Sequence, residues 1–411
     1  MSPIQIGGDT GNPKRLSTVA VGMANNWLQY GGPNRDFSQP QTLSKQAVPT
    51  VRWRRALGEG TSGMVGDGKA LFTLYSTEIS AKRESGVEVV VSLDAATGKT
   101  RWEHKTPVAM LPKQESYTSD PIRPQATPLL WQGKLLTLGF TGLLKCFEAE
   151  TGNILWERDL VKEFAATPVQ FGFSASPLAY DGAFVVHVGG KQATLIAFEP
   201  RDGKVRWKSA PAEPSYASPM LVRVDGEDQL VQLTRDALLG VAAKDGTPRW
   251  SYALPKLGLT NVPTPLVLPD QRLVISGQGV LGTRLLKLTK NAATELWVNA
   301  KSTYFYCNWT ATRELVLGCN NGGFISALSL TDGQELWRER GQGDANLLQV
   351  GNDTLFLRGD GLFTRGKATP EGLKTEPGIP LFTSRSWTPP TLIGETLYAR
   401  SNKEILAASL K

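Results

Sequence analysis

The residues best equipped for chemistry are few and scattered. His104 and His187 are the two histidines of the 411-residue chain, and Cys146, Cys307 and Cys319 are its three cysteines. Two unclustered histidines leave no material for a His-rich metal site or a Ser-His-Asp triad. His187 sits in the apolar run 184–188 and reads as a structural or surface residue, while His104, two residues after Trp102, reads as exposed. No CxxC or CxxCH occurs, which argues against a zinc site and against covalently attached c-type haem. Cys307 and Cys319 flank a hairpin centred near Arg313; a disulfide in an exported protein and two buried free thiols both suit that spacing. Cys146, inside the apolar run 143–147, reads as a small core residue. A carbohydrate-active lyase or hydrolase would need paired carboxylates, for which Glu115, Asp120 and Glu213 are the candidates.

The elements that position these residues are read from tryptophan. One phrase recurs: an apolar run, a small polar turn, two or three residues, then Trp. Asp94-Ala-Ala-Thr-Gly-Lys-Thr-Arg-Trp102 is typical, and the phrase returns at Trp156, Trp207, Trp250, Trp297 and Trp337. Trp53 ends such a phrase without its front half. Successive spacings are 49, 54, 51, 43, 47 and 40 residues, a period that means a propeller or solenoid. Helical periodicity is absent, which disfavours an α-solenoid. A second signal, a small residue often followed by Pro, precedes the first apolar strand of each unit, at residues 61, 126, 175, 217, 263, 307, 344 and 388. Pro is tolerated there because no ladder hydrogen bond is lost. Turns such as Asp67-Gly68 and Asp181-Gly182 supply the positive φ angles of hairpins. Residues 176–207 therefore read as four strands, at 178–180, 183–188, 194–198 and 204–207, and four antiparallel strands make a propeller blade.

Eight start signals precede only seven complete outer strands. The missing strand is available upstream at 51–53, and pairing it with the C-terminal strands removes two open edges. The chain is thus expected to be all-β: one eight-bladed β-propeller over 27–411, its last blade closed by an N-terminal strand. Residues 1–26 are expected to be a flexible segment or signal-peptide remnant, since Lys14-Arg15 precedes a short apolar stretch. The seventh blade has no Trp near Leu373-Lys-Thr-Glu376 and is expected to be the weakest point in the ring.

Loops on a rigid scaffold carry function. Those leading into the strand starts contain Tyr117, Arg123, Phe171, Phe173, Tyr216, Asn261, Tyr304, Tyr306, Asn346, Arg385 and Trp387. Aromatic rings mixed with Arg and Asn suit a sugar, a peptide or an anionic small molecule; side chains that simply plug the channel are the competing reading. The insertion 105–124 lies beside this mouth and is a candidate lid. A net charge of +7 favours anionic partners weakly, but no basic run exists. The densest cluster, Arg52, Arg54 and Arg55, alternates as a strand would, so nucleic acid is not expected. No stretch approaches the roughly 18 apolar residues of a membrane helix.

The phrase 94–102 resembles the tryptophan docking motif of pyrroloquinoline-quinone (PQQ) repeat propellers, in which Trp packs between neighbouring blades and the Gly turn presents it. Trp27-Leu-Gln-Tyr-Gly-Gly-Pro-Asn-Arg-Asp36 and Asp159-Leu-Val-Lys-Glu-Phe164 are similar to segments of bacterial PQQ-binding-like propellers, many of them exported. Outer-membrane assembly lipoproteins of the BAM complex share the eight-bladed form and act as scaffolds. The resemblance implies a periplasmic location, with the cytoplasm as alternative, and a binding or scaffolding role toward a protein partner or small polar ligand. It offers a PQQ- and calcium-dependent alcohol or sugar dehydrogenase as alternative. PQQ alcohol dehydrogenases are expected to carry a vicinal Cys-Cys disulfide, a calcium site with Glu and Asn, an Asp base and a Trp floor. The vicinal pair is missing here, and no motif marks the calcium ligands or the base.

Overall fold

The computed structural model describes residues 26–411 apart from 45–47, 112–122, 256–260, 305–306, 321–322 and 341–343. Its strands assemble into eight antiparallel sheets around a central channel. Blades 1 to 8 begin with the inner strands Val65–Gly66, Leu129–Trp131, Leu178–Tyr180, Met220–Val224, Leu266–Leu268, Thr310–Ala311, Ala345–Val350 and Thr391–Ile393. They end with the outer strands Thr100–Ala109, Ile154–Asp159, Val205–Lys208, Pro248–Ala253, Ala292–Asn299, Glu335–Arg340, Gly372–Thr375 and Thr50–Ala56. The expected eight-bladed propeller is therefore the fold. The ring closes as the strand count requires: Thr50–Ala56 pairs antiparallel with Glu404–Ser409, Trp53 opposite Ala407.

Periodicity explains the layering. Second and third strands run nearly continuously buried, whereas outer strands alternate, as in the exposed-to-half-buried pattern of Thr100–Ala109. Side chains from neighbouring blades fill the seams, and five seams are pinned by a Trp lying over a glycine of the next blade. The ring of Trp53 lies over Gly98, Trp102 over Gly152, Trp156 over Gly203, Trp207 over Gly246 and Trp297 over Gly333. Each of these glycines belongs to the turn of the next blade. Both properties of Gly are used, a positive φ (67 to 78°) and no Cβ, which would stand 2.4 to 2.7 Å from the indole.

Two departures have physical reasons. The turn of blade 5, Lys290-Asn291, lacks Gly, and Trp250 turns instead to its own blade, covering Gly240 and donating to Gln229 Oε1 at 2.8 Å. Blade 7 lacks Trp because blade 8 has no turn to receive one: its third and fourth strands come from opposite ends of the chain. The 7–8 seam is held differently, by Arg54 Nη2 donating to Leu381 O at 2.7 Å with its guanidinium over Phe382.

The first described segment supplies a feature with no counterpart in the blade pattern. Residues 27–41 enter the channel from the end opposite the strand starts and return to it. Trp27 bridges Gly66 of blade 1, and Leu28 O accepts from Leu130 N of blade 2. Arg35 donates to Ser176 O and Pro177 O of blade 3, while Ser38–Gln39 pairs parallel with Ala345–Val350 of blade 7. Gln41 Nε2 donates to Gly394 O of blade 8 at 2.7 Å. Gly31 and Gly32, at φ of 68° and 77°, turn the segment against Arg35 and the Trp27 ring. The channel is filled by the protein's own chain.

Candidate binding surface at the channel mouth

The strand-start signals build a belt around the mouth. Thr127 N donates to Ser176 Oγ (2.9 Å), Ser176 N to Ser218 Oγ (2.9 Å) and Ser218 N to Thr264 Oγ1 (3.0 Å). Asn308 continues it, exchanging two hydrogen bonds with the Leu347 backbone. A hydroxyl or amide in that slot ties blade 2 to 3, 3 to 4, 4 to 5 and 6 to 7, which explains the small polar residues there.

Above the belt the expected mouth residues separate into two groups. Arg123, Arg385 and Trp387 come together: the Arg385 guanidinium lies 3.7 Å and that of Arg123 5.7 Å from the centre of the Trp387 ring. Phe171 and Tyr216 form a second pair, their rings 6.2 Å apart, with Phe171 N donating to Tyr216 Oη. The other residues are committed behind the rim. Phe173 is buried against Gly142, Asn261 donates to Thr234 O and Arg235 O, and Tyr304 packs on Trp309 and donates to Ser326 O. Burial raises the Tyr304 pKa. Asn346 is buried, with Nδ2 unpartnered. Tyr117 and Tyr306 lie outside the described residues, as do Glu115, Asp120, residues 1–25 and most of the 105–124 insertion.

Two arginines at this site carry no sequence signal. Arg400 is fully buried, donating to Gly58 O, Ser62 O, Thr73 Oγ1 and Leu74 O; burial, then Arg123, lowers its pKa to about 9. Arg35 on the channel segment is lowered to about 10, mainly by burial. The mouth is thus positive beneath an aromatic rim. Of its carboxylates, Glu213 stands 3.9 Å from Arg235.

The remaining candidates lie elsewhere. His187 is buried, its Nε2 accepting from Ser215 N at 3.2 Å, and burial lowers its pKa to about 4. His104, expected to be exposed, is half-buried on Phe147 beside Lys145, because its outer strand turns that face toward blade 2. Cys146, Cys307 and Cys319 are buried free thiols. Cys307 and Cys319 are in contact: a hydrogen bond with Cys319, together with burial, holds the Cys307 thiol well above its ordinary range. Among the described residues no three His, Cys, Asp or Glu side chains group to hold a metal ion, and no helix is long and apolar enough to cross a membrane. The segment 159–164 forms a five-residue helix, Leu160–Phe164, capped by Asp159.

A family model described as outer membrane protein assembly factor BamB matches residues 87–339. The Yersinia pestis protein of that name is 23% identical over 284 residues, covering 65% of this chain and 68% of its own. Among solved structures, BamB from Moraxella catarrhalis superposes with a TM-score of 0.62 at 15% identity, over 88% of this chain and all of its own. Quinohemoprotein alcohol dehydrogenase from Comamonas testosteroni superposes with a TM-score of 0.66 at 11% identity, over 94% of this chain and 81% of its own. The family match spans more than half of this eight-bladed chain, and the protein belongs to the outer membrane protein assembly factor BamB family of quinoprotein-type propellers.

Proposed function

We propose that this protein is a non-catalytic scaffold of the periplasm that holds a polypeptide partner against the mouth rim. The observation that carries the reading is the filled channel: residues 27–41 occupy it, so at this end of the ring contact falls to the rim rather than to the channel. Arg385 and Trp387, an exposed guanidinium on an indole face, have the composition of interface anchors. A small polar ligand at the same rim is the variant of this reading that needs no partner. A photoreactive residue placed at Arg385 in cells tests it. The expected result is a discrete polypeptide adduct that Trp387→Ala removes; turnover that depends on a rim residue would contradict it.

A PQQ-dependent oxidoreductase is the second reading, motivated by the dehydrogenase likeness. The residues at the mouth do not fit a calcium-held quinone. Among the described residues no three His, Cys, Asp or Glu side chains group to hold a metal ion, Cys307 and Cys319 are not neighbours in the sequence, and the charged groups buried beneath the rim are Arg35 and Arg400. Reconstitution with PQQ and calcium, followed by dye-linked oxidation of alcohols and sugars, decides between the two.

A further inference from the structure

In six of the seven outer strands that carry the repeat Trp, the residue two positions later points across the same seam. Arg55 donates to Gly98 O, Arg158 to Gly203 O and Asn299 to Gly333 O. His104 packs its ring on Phe147 with centroids 5.4 Å apart, Tyr252 Oη donates to Glu295 at 2.8 Å, and Glu339 accepts from Leu373 N. Ser209, in the corresponding place after Trp207, does not cross. Its hydroxyl stays in its own blade, accepting from Leu195 N at 2.9 Å. The residues that follow, Ala210, Pro211 and Ala212, are too short to replace it.

The consequence is a cavity of about 340 Å³ between blades 3 and 4, with walls that include Leu195, Pro211, Leu239, Val241 and Trp250. Gln232 stands in the wall. Its amide nitrogen donates to Ala217 O and Leu233 O, which leaves Oε1 as a buried acceptor without a partner. A cavity of this size lies at the small end of ligand pockets and accommodates one large side chain.

We propose that this cavity receives an aromatic side chain with a donor group, tyrosine or tryptophan, from a polypeptide partner. The ring takes the place that the chain's own crossing residue fills at the other seams, where two of the six occupants, His104 and Tyr252, are themselves aromatic. Apolar walls, among them Leu195, Leu239 and Val241, favour such a group, and an unpaired buried acceptor rewards its O–H or N–H. An incoming arginine is disfavoured because Arg249, held by Glu227 at 2.8 Å, already lines the cavity. The source of the ring rests on the polypeptide-binding reading above; the cavity does not.

The test is binding of N-acetyl-L-tyrosinamide, with N-acetyl-L-alaninamide as control, followed by saturation-transfer NMR and calorimetry. The wild-type chain is expected to bind the tyrosinamide saturably, with a dissociation constant on the order of millimolar, and not the control. Ser209→Tyr, which rebuilds the crossing residue from one wall, and Leu239→Trp, which fills the space from the other, should each weaken binding at least tenfold while melting no lower than wild type. A doubly substituted rim, Arg385→Ala with Trp387→Ala, should leave it unchanged. Absence of saturable binding, binding unaffected by both filling variants, or binding lost with the rim would overturn the proposal. Binding that persists when the rim holds no polypeptide in cells would instead count against the rim reading alone.

Discussion

The indole of Trp53 covers Gly98, and its Nε1–H donates to Ala95 O at 3.0 Å. One residue belongs to the strand that closes the ring and the other to the first blade, so this seam is pinned by the same device as those at Gly152, Gly203, Gly246 and Gly333. Where the device is absent, between blades 7 and 8, the receiving turn is absent too. The missing Trp and the chain break are one feature.

Replacing a docking glycine should therefore cost more than its backbone angle alone. Gly152→Ala meets the Trp102 ring at 2.6 Å and sits at φ 78°, whereas Gly133→Ala at φ 74° meets nothing within 4 Å. The expected losses are about 1 kcal/mol for Gly133→Ala and about 2–4 kcal/mol for Gly152→Ala. Urea midpoints of the two variants measure the difference.

The channel segment is anchored by Trp27, 2% exposed against blade 1. Trp27→Ala should lower stability by about 3–5 kcal/mol, and Trp387→Ala at the rim by much less. Chemical denaturation separates a segment that is part of the core from one that merely lies in the channel.

His187 should impose an acid limit on stability. Its folded value is about 4 against an ordinary 6.5, owing to burial. The unfolded chain therefore takes up a proton first as pH falls below 6.5, and stability drops until pH reaches about 4. The loss over that window is about 3 kcal/mol, fully absent above it. His187→Gln should flatten this part of the profile, as read by denaturation at stepped pH.

Thiol titration bears on location. In an oxidising compartment the contact between Cys307 and Cys319 favours a disulfide, so alkylation after denaturation without reductant should label Cys146 alone. Labelling of all three would contradict export with a closed pair.

Much of the fold was legible because the repeat states its own period. The docking phrase located the seams, and a strand deficit located the closure. Residues 27–41 were not legible, since they follow neither strand nor helix periodicity and their partners lie as far as 353 residues away. Arg400 was hidden for a different reason: it ends an ordinary alternating strand, and only the neighbouring blade makes it a buried clamp. The sequence assigned the rim residues to the strand-start loops, yet could not separate exposed Arg385 and half-buried Trp387 from the buried Asn261 and Tyr304, which bond to backbone carbonyls behind them. The gap at Ser209 did carry a signal. Aligning the residues two places after each Trp shows Arg, His, Arg, Ser, Tyr, Asn and Glu, and the short one marks the cavity.

The central claim, a scaffold that holds a polypeptide at its rim, is tested most directly by recovering the protein with its partner from the periplasm. The account predicts that Arg385→Ala with Trp387→Ala loses the co-purifying polypeptide while the melting temperature stays close to wild type. Full retention of the partner by that well-folded variant would contradict it.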